Sequence, residues 1–283
     1  MGILGIDLGG TNIRVGLVEN NSLLRVESFP VSKSENKSEV LNDIYNLIDL
    51  YSREEILGIG VGVPSVVDVE KGIVYDVQNI PSWKEVHLKD LLSKRYNIPI
   101  YINNDANCFA IGEKYFGHAK NYNNIVGLII GTGLGAGIII NGKLYAGKNC
   151  GAGEFGMIPF KNFNYEYYCS GQFFQNEYKT TGEELFIKAE KGEREAIDVF
   201  SKFGSNLGEV IKTILYSIDP EIIILGGSVS KSYKLYRDEM FKAINTFSYS
   251  KSINNLKIEV SAIDNVAILG AAALYYDNNK FIE

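Results

Sequence analysis

Three short stretches combine residue types and spacings suited to moving a phosphate. Asp7-Leu8-Gly9-Gly10-Thr11 follows the apolar run from Gly2 to Ile6. Paired glycines lack the Cβ atoms that hold a backbone away from an oxyanion, so their N–H groups can point at phosphate oxygens. Thr11 adds a hydroxyl donor, and Asp7 offers a carboxylate able to hold Mg²⁺ through water. Gly131-Thr132-Gly133-Leu134-Gly135 lies between two apolar runs, Val126 to Ile130 and Ile138 to Ile140. With Ala136 it also matches a dinucleotide fingerprint, but that site needs the turn to open a helix. Here the turn opens a strand pair that ends on Asn141-Gly142, a strong hairpin signal. The third stretch, Asn103-Asn104-Asp105, follows the apolar strand Ile98 to Ile102 and starts a helix reaching about Phe116. A hydroxyl loses its proton as it attacks phosphorus, so a carboxylate beside an amide suits that reaction. Taken singly, each stretch has a simpler reading: two glycine hairpins, and a helix cap at Asp105.

The elements around these residues alternate. A hairpin is expected from Ile3 to Val18, a helix from Val40 to Tyr51 on its helical apolar spacing, and a strand from Ile56 to Val63. The strand, glycine turn and strand of the first segment recur from Ile125 to Leu144, as duplicated lobes facing one cleft would produce. Ala196 to Leu215 reads as a long amphipathic helix ended by Asp219-Pro220, and Ile222 to Leu225 as a buried strand closed by Gly226-Gly227-Ser228. A small-residue helix is expected around Leu269 to Ala273.

Composition narrows the classes. The 283 residues allow two lobes, and 46% apolar with 22% charged content is that of a globular chain. A formal charge of -6 disfavours a general nucleic-acid binder. No apolar stretch reaches membrane-spanning length, and no signal peptide opens the chain. Cys108, Cys150 and Cys169 form a poor disulfide framework, so a cytoplasmic protein is expected.

Together the motifs carry a resemblance. Asp7 to Thr11, Gly62-Val63-Pro64 with Asp68, Asn79 with Trp83, Asn104-Asp105, Gly131 to Gly135, Gly153-Glu154-Phe155-Gly156 and Leu225-Gly226-Gly227 stand in the order seen in ROK-family sugar kinases. The resemblance implies a two-lobed actin/hexokinase-like (ribonuclease H-like) α/β fold with an interlobe cleft. The N-terminal lobe would comprise residues 1–115 with a returning C-terminal helix at 269–283, and the C-terminal lobe residues 116–268. It implies Mg²⁺ with ATP, a small sugar as partner, and often a homodimer. Asp7, Gly9, Gly10 and Thr11 would take phosphates and magnesium, with Gly131, Thr132 and Gly133 as a second phosphate loop. Gly226 and Gly227 would lie under the adenosine. Asn79, Asn104, Glu154 and Glu166 would hold the sugar, and Asp105 would be the general base.

One departure stands out. Many family members build a structural zinc site from a histidine after the G-E-x-G motif and a cysteine cluster. Here Met157 stands at the histidine position, and no cysteine lies between Phe160 and Tyr168. Cys169, His87 and His118 cannot supply a tetrahedral site, so no structural zinc is expected. Phe160, Phe163, Tyr165, Tyr167 and Tyr168 are candidates to brace the loop by packing instead. The resemblance over the whole chain favours N-acetylmannosamine as substrate, with glucose the runner-up. A ROK repressor would need a DNA-binding domain for which there is no room before Asp7. A sugar sensor without activity would not need Asp105.

Overall fold

The computed structural model describes residues 1–32, 36–77 and 80–279. Its first half runs β1 (Gly2–Leu8), β2 (Asn12–Glu19), β3 (Ser22–Pro30), α1 (Lys37–Asp49), β4 (Ile56–Val63), β5 (Val66–Asp68), β6 (Ile73–Tyr75), β7 (Glu85–His87), α2 (Leu88–Tyr96), β8 (Ile100–Asn104) and α3 (Asp105–Phe116). The second half continues with β9 (Ile125–Ile130), β10 (Leu134–Ile140), β11 (Lys143–Leu144), β12 (Pro159–Phe160), β13 (Phe163–Asn164), α4 (Tyr165–Cys169), α5 (Gly171–Tyr178), α6 (Gly182–Glu190) and α7 (Arg194–Ser217). It closes with β14 (Ile222–Gly226), α8 (Tyr233–Ile244), α9 (Ser250–Asn255), β15 (Lys257–Val260) and α10 (Val266–Asn278).

Two five-stranded sheets repeat one plan, in the orders β3-β2-β1-β4-β8 and β11-β10-β9-β14-β15. In each, the first three strands are antiparallel neighbours and the last two join in parallel. This is the two-lobed actin/hexokinase-like arrangement. β3, which local periodicity did not signal, completes the first sheet as an exposed edge strand.

Strand alternation decides where Asp7 points. Leu4, Ile6 and Leu8 pack with Val40, Ile44 and Leu47 of α1 on one face of the first sheet. Ile3 packs with Leu269 and Ala272 of α10 on the other, and Asp7 shares that parity. The second sheet is covered by Phe109 and Ala110 of α3 on one face and by Phe203, Leu207, Val210 and Ile214 of α7 on the other. α3 and α10 therefore pack together between the sheets. Their crossing is close: a Cβ on Gly270 would stand 1.8 Å from the Cys108 carbonyl oxygen. Both sides of that contact are backbone, so no rotamer relieves it. Gly270→Val should destabilise the fold by roughly 3 kcal/mol. An unchanged denaturation midpoint would contradict this crossing.

The parallel strands β1, β4, β8, β9 and β14 direct their carboxyl ends to one region, where an open α/β sheet places its ligands. Asp7, Asn104, the turn after Ile130 and Gly226 all sit at such ends.

Candidate active site

The β8–α3 junction is organised by amides. Asn103 is buried, and its Oδ1 accepts from the Asn104 N–H at 2.9 Å and from Asn107 Nδ2 at 2.8 Å. The buried Cys150 thiol also donates to Asn103 Oδ1, at 3.4 Å. The N-cap of α3 is Asn104, whose Oδ1 accepts from the Ala106 N–H at 2.8 Å and the Asn107 N–H at 3.4 Å, while its Nδ2 donates to the Ser65 carbonyl at 3.3 Å. Capping is thus supplied by Asn104, and Asp105 occupies the first helical position. Burial pushes the Asp105 carboxyl up to about 6, against the lowering effect of the Ala106 N–H bond, and the charges of Asp7 and Glu154 add to the rise.

Asp105 lies on the wall of a cavity of about 940 Å³. Asn104, Glu154, Glu166, Met157 and the turn Gly131 to Gly133 share that wall. Burial, then the neighbouring Glu166 charge, raises the Glu154 carboxyl above its usual range. A hairpin at β5–β6 contributes Val66 and Tyr75, with the Ser65 hydroxyl bonded to the Tyr75 carbonyl. A second cavity of about 510 Å³ adjoins the first through Gly131, Thr132 and Gln172, and is otherwise lined by α5, α6 and the Ser228 to Ser232 segment, including Phe174, Phe186 and Lys231.

The remaining expected residues lie off these walls. Gly226 and Gly227 sit one step behind Ser228, the first residue of their segment on the second cavity. Asp7, Gly9, Gly10 and Thr11 line neither cavity, although the Asp7 charge is felt at Asp105. Asn79 falls outside the described residues. Arg14 was missed: it faces Asp7 across the β1–β2 register, with Nε and Nη2 at 3.0 and 2.5 Å from Asp7 Oδ2. The offset of seven residues around a glycine turn could have revealed this pair.

Aromatic packing fills the loop from Phe160 to Tyr168. Phe160 stacks on Tyr165 with centroids 4.6 Å apart, and Phe163 on Tyr167 at 4.2 Å. Tyr168 meets Phe160 and Tyr167 edge-on. The Lys161 ammonium lies over Phe160 and Tyr168 and donates to Asn206 Oδ1 at 2.6 Å, while the Tyr165 hydroxyl pairs with Thr213 Oγ1 at 2.8 Å. Both partners are on α7, so the loop is pinned to the core. Among the described residues, no group of three or more His, Cys, Asp or Glu is placed to hold a metal. Among them too, no helix is long and apolar enough to cross a membrane.

A sequence profile of the ROK family matches residues 3–278. The chain belongs to the ROK family. The glucokinase of Thermotoga maritima is 27% identical over 96% of each chain. A xylose repressor of Caldicellulosiruptor bescii is 29% identical, over 96% of this chain and 77% of its own. A solved ROK family protein of Streptococcus pneumoniae, in complex with sucrose, is 26% identical and superposes with a TM-score of 0.85 over 99% of both chains.

Proposed function

We propose that the protein is an ATP-dependent sugar kinase, with N-acetylmannosamine as the preferred acceptor and glucose as the alternative. The observation that carries this is Asp105, a carboxylate made unusually basic by burial at the mouth of a capped helix, beside a glycine turn able to cradle phosphate. The sugar occupies the larger cavity and the nucleotide the smaller. Asp105 accepts the hydroxyl proton as the sugar oxygen attacks the γ-phosphorus. Asn104, held by three hydrogen bonds of its side chain, keeps that carboxylate in place. Glu154 and Glu166 accept from sugar hydroxyls, and the Thr132 and Gly133 N–H groups face the phosphates, that of Gly131 being bonded to the Gly133 carbonyl. On this reading the lobes divide near residue 115, and α10 returns to pack on β1 and β4 of the first sheet.

A magnesium ion fits the chemistry of the donor set. Arg14 engages only Oδ2 of Asp7, and Asp7 and Asp105 raise a shared negative potential that a divalent cation relieves. Asp7 would hold the ion through water, and the ion would neutralise charge on the phosphates.

Met157 supports the N-acyl preference. It is 51% exposed on a cavity wall that also carries Val66, Ile129 and Leu134, where an acetamido methyl finds apolar contact. The test is kcat/KM for both sugars. N-acetylmannosamine should exceed glucose, and a clear preference for glucose would reassign the acceptor. The repressor likeness favours a second reading, a sugar sensor without turnover, in which the basicity of Asp105 has no use.

The pH profile follows from Asp105. The base works only when deprotonated, so kcat/KM of the free enzyme should fall as pH drops through about 6, not through the ordinary carboxylate range. Activity held undiminished down to pH 5 would contradict a base raised to about 6.

A further inference from the structure

Gln172 stands where the two cavities meet. Its Nε2 donates to Glu166 Oε1 at 3.0 Å, and Glu166 Oε2 accepts the Leu134 N–H at 3.0 Å. One carboxylate therefore ties the start of α5 to the end of the glycine turn. The fit is tight, since a Cβ on Gly133 would stand 2.5 Å from Glu166 Oε2. A second tie runs in parallel, from the Gly171 N–H to the Gly131 carbonyl at 2.7 Å. Glu166 faces the larger cavity, and its oxygens keep acceptor capacity for a hydroxyl. The glycine turn and Gln172 face the smaller one as well.

We propose that Gln172 is a positioning residue that, through Glu166, couples sugar occupancy to nucleotide affinity; the proposal rests on the kinase reading of the two cavities. A sugar hydroxyl donating to Glu166 fixes the carboxylate. The fixed carboxylate holds the Leu134 N–H and the Gln172 amide, and with them the turn and helix start against which the phosphates lie. Order imposed by the first ligand is then not charged to the second, and the effect is reciprocal. Without the Gln172 bond, Glu166 still meets the sugar but no longer restrains α5.

The test is the Kd of a non-hydrolysable ATP analogue with Mg²⁺, measured calorimetrically with and without saturating N-acetylmannosamine, or glucose where that is the sugar bound. For the unaltered protein, sugar should tighten the analogue by about 5-fold or more, within the usual range of coupling between sites. Gln172→Met keeps length and helix propensity but removes the donor. Its coupling should fall below about 2-fold, while the Kd for sugar alone stays within about 3-fold of the unaltered value. Gln172→Glu, nearly isosteric, should lose coupling at pH 8, where two carboxylates meet with no donor between them. It also serves should Gln172→Met fold poorly. Coupling retained in either variant at pH 8, or absent from the unaltered protein, would overturn the proposal. Because binding is read and turnover is not, a failure of phosphoryl transfer would count against the kinase reading alone.

Discussion

Asp105→Asn is expected to lower kcat by about 10²- to 10⁴-fold while leaving the protein at least as stable as the parent near neutral pH. The two effects separate because the cap of α3 is supplied by Asn104, so the substitution removes a base without removing a cap. The sign of the stability effect follows from burial. A carboxyl raised from its ordinary value to about 6 favours the fold while protonated, and that contribution is lost as pH rises through about 6. At pH 7 the parent therefore carries a penalty that Asn does not, on the order of 3 kcal/mol for a carboxyl raised to about 6, and the difference should vanish below about pH 4. Denaturation midpoints at pH 7 and pH 4, with sugar and nucleotide Kd values, check this. Near-normal kcat in the folded variant would show that the base lies elsewhere.

Chelation is expected to divide chemistry from architecture. EDTA should abolish turnover, excess Mg²⁺ should restore it, and the thermal midpoint should not move. The first half follows from the proposed site, in which Asp7 and Asp105 would face anionic phosphates. The second follows from the loop of Phe160 to Tyr168, which is held by stacked rings, by Lys161 on Asn206 and by Tyr165 on Thr213. Neither ring stacking nor these hydrogen bonds responds to a chelator. Stoichiometric zinc in elemental analysis, or a midpoint lowered by EDTA, would show a metal supporting this loop.

What was legible in the sequence was local or periodic. The apolar alternation of β1, the spacing along α1 and α7, and the strand–turn–strand around Gly131 each signal an element through their own residues. The duplication was legible because the same glycine punctuation occurs twice. Contacts across the fold were not. Glu166 reaches Leu134 from 32 positions away, and no pattern in either segment announces that bond. Asn104 and Asp105 are both good caps, so only the backbone at Asn104 decides between them. The wall formed by α5, α6 and the Ser228 segment carries no phosphate-type motif, because an apolar pocket needs only shape and surface. Gly226 and Gly227 marked the strand end correctly, but the cavity wall begins one residue later.

The central claim is phosphoryl transfer to a sugar hydroxyl with Asp105 as base. It is tested most directly by mass spectrometry of N-acetylmannosamine and glucose, incubated separately with Mg·ATP and either the unaltered protein or Asp105→Asn. Expected is a sugar monophosphate accumulating in step with ADP for the unaltered protein, and almost none for the variant. A protein that binds sugar and nucleotide yet yields no phosphorylated sugar, or a variant that yields as much as its parent, would contradict it.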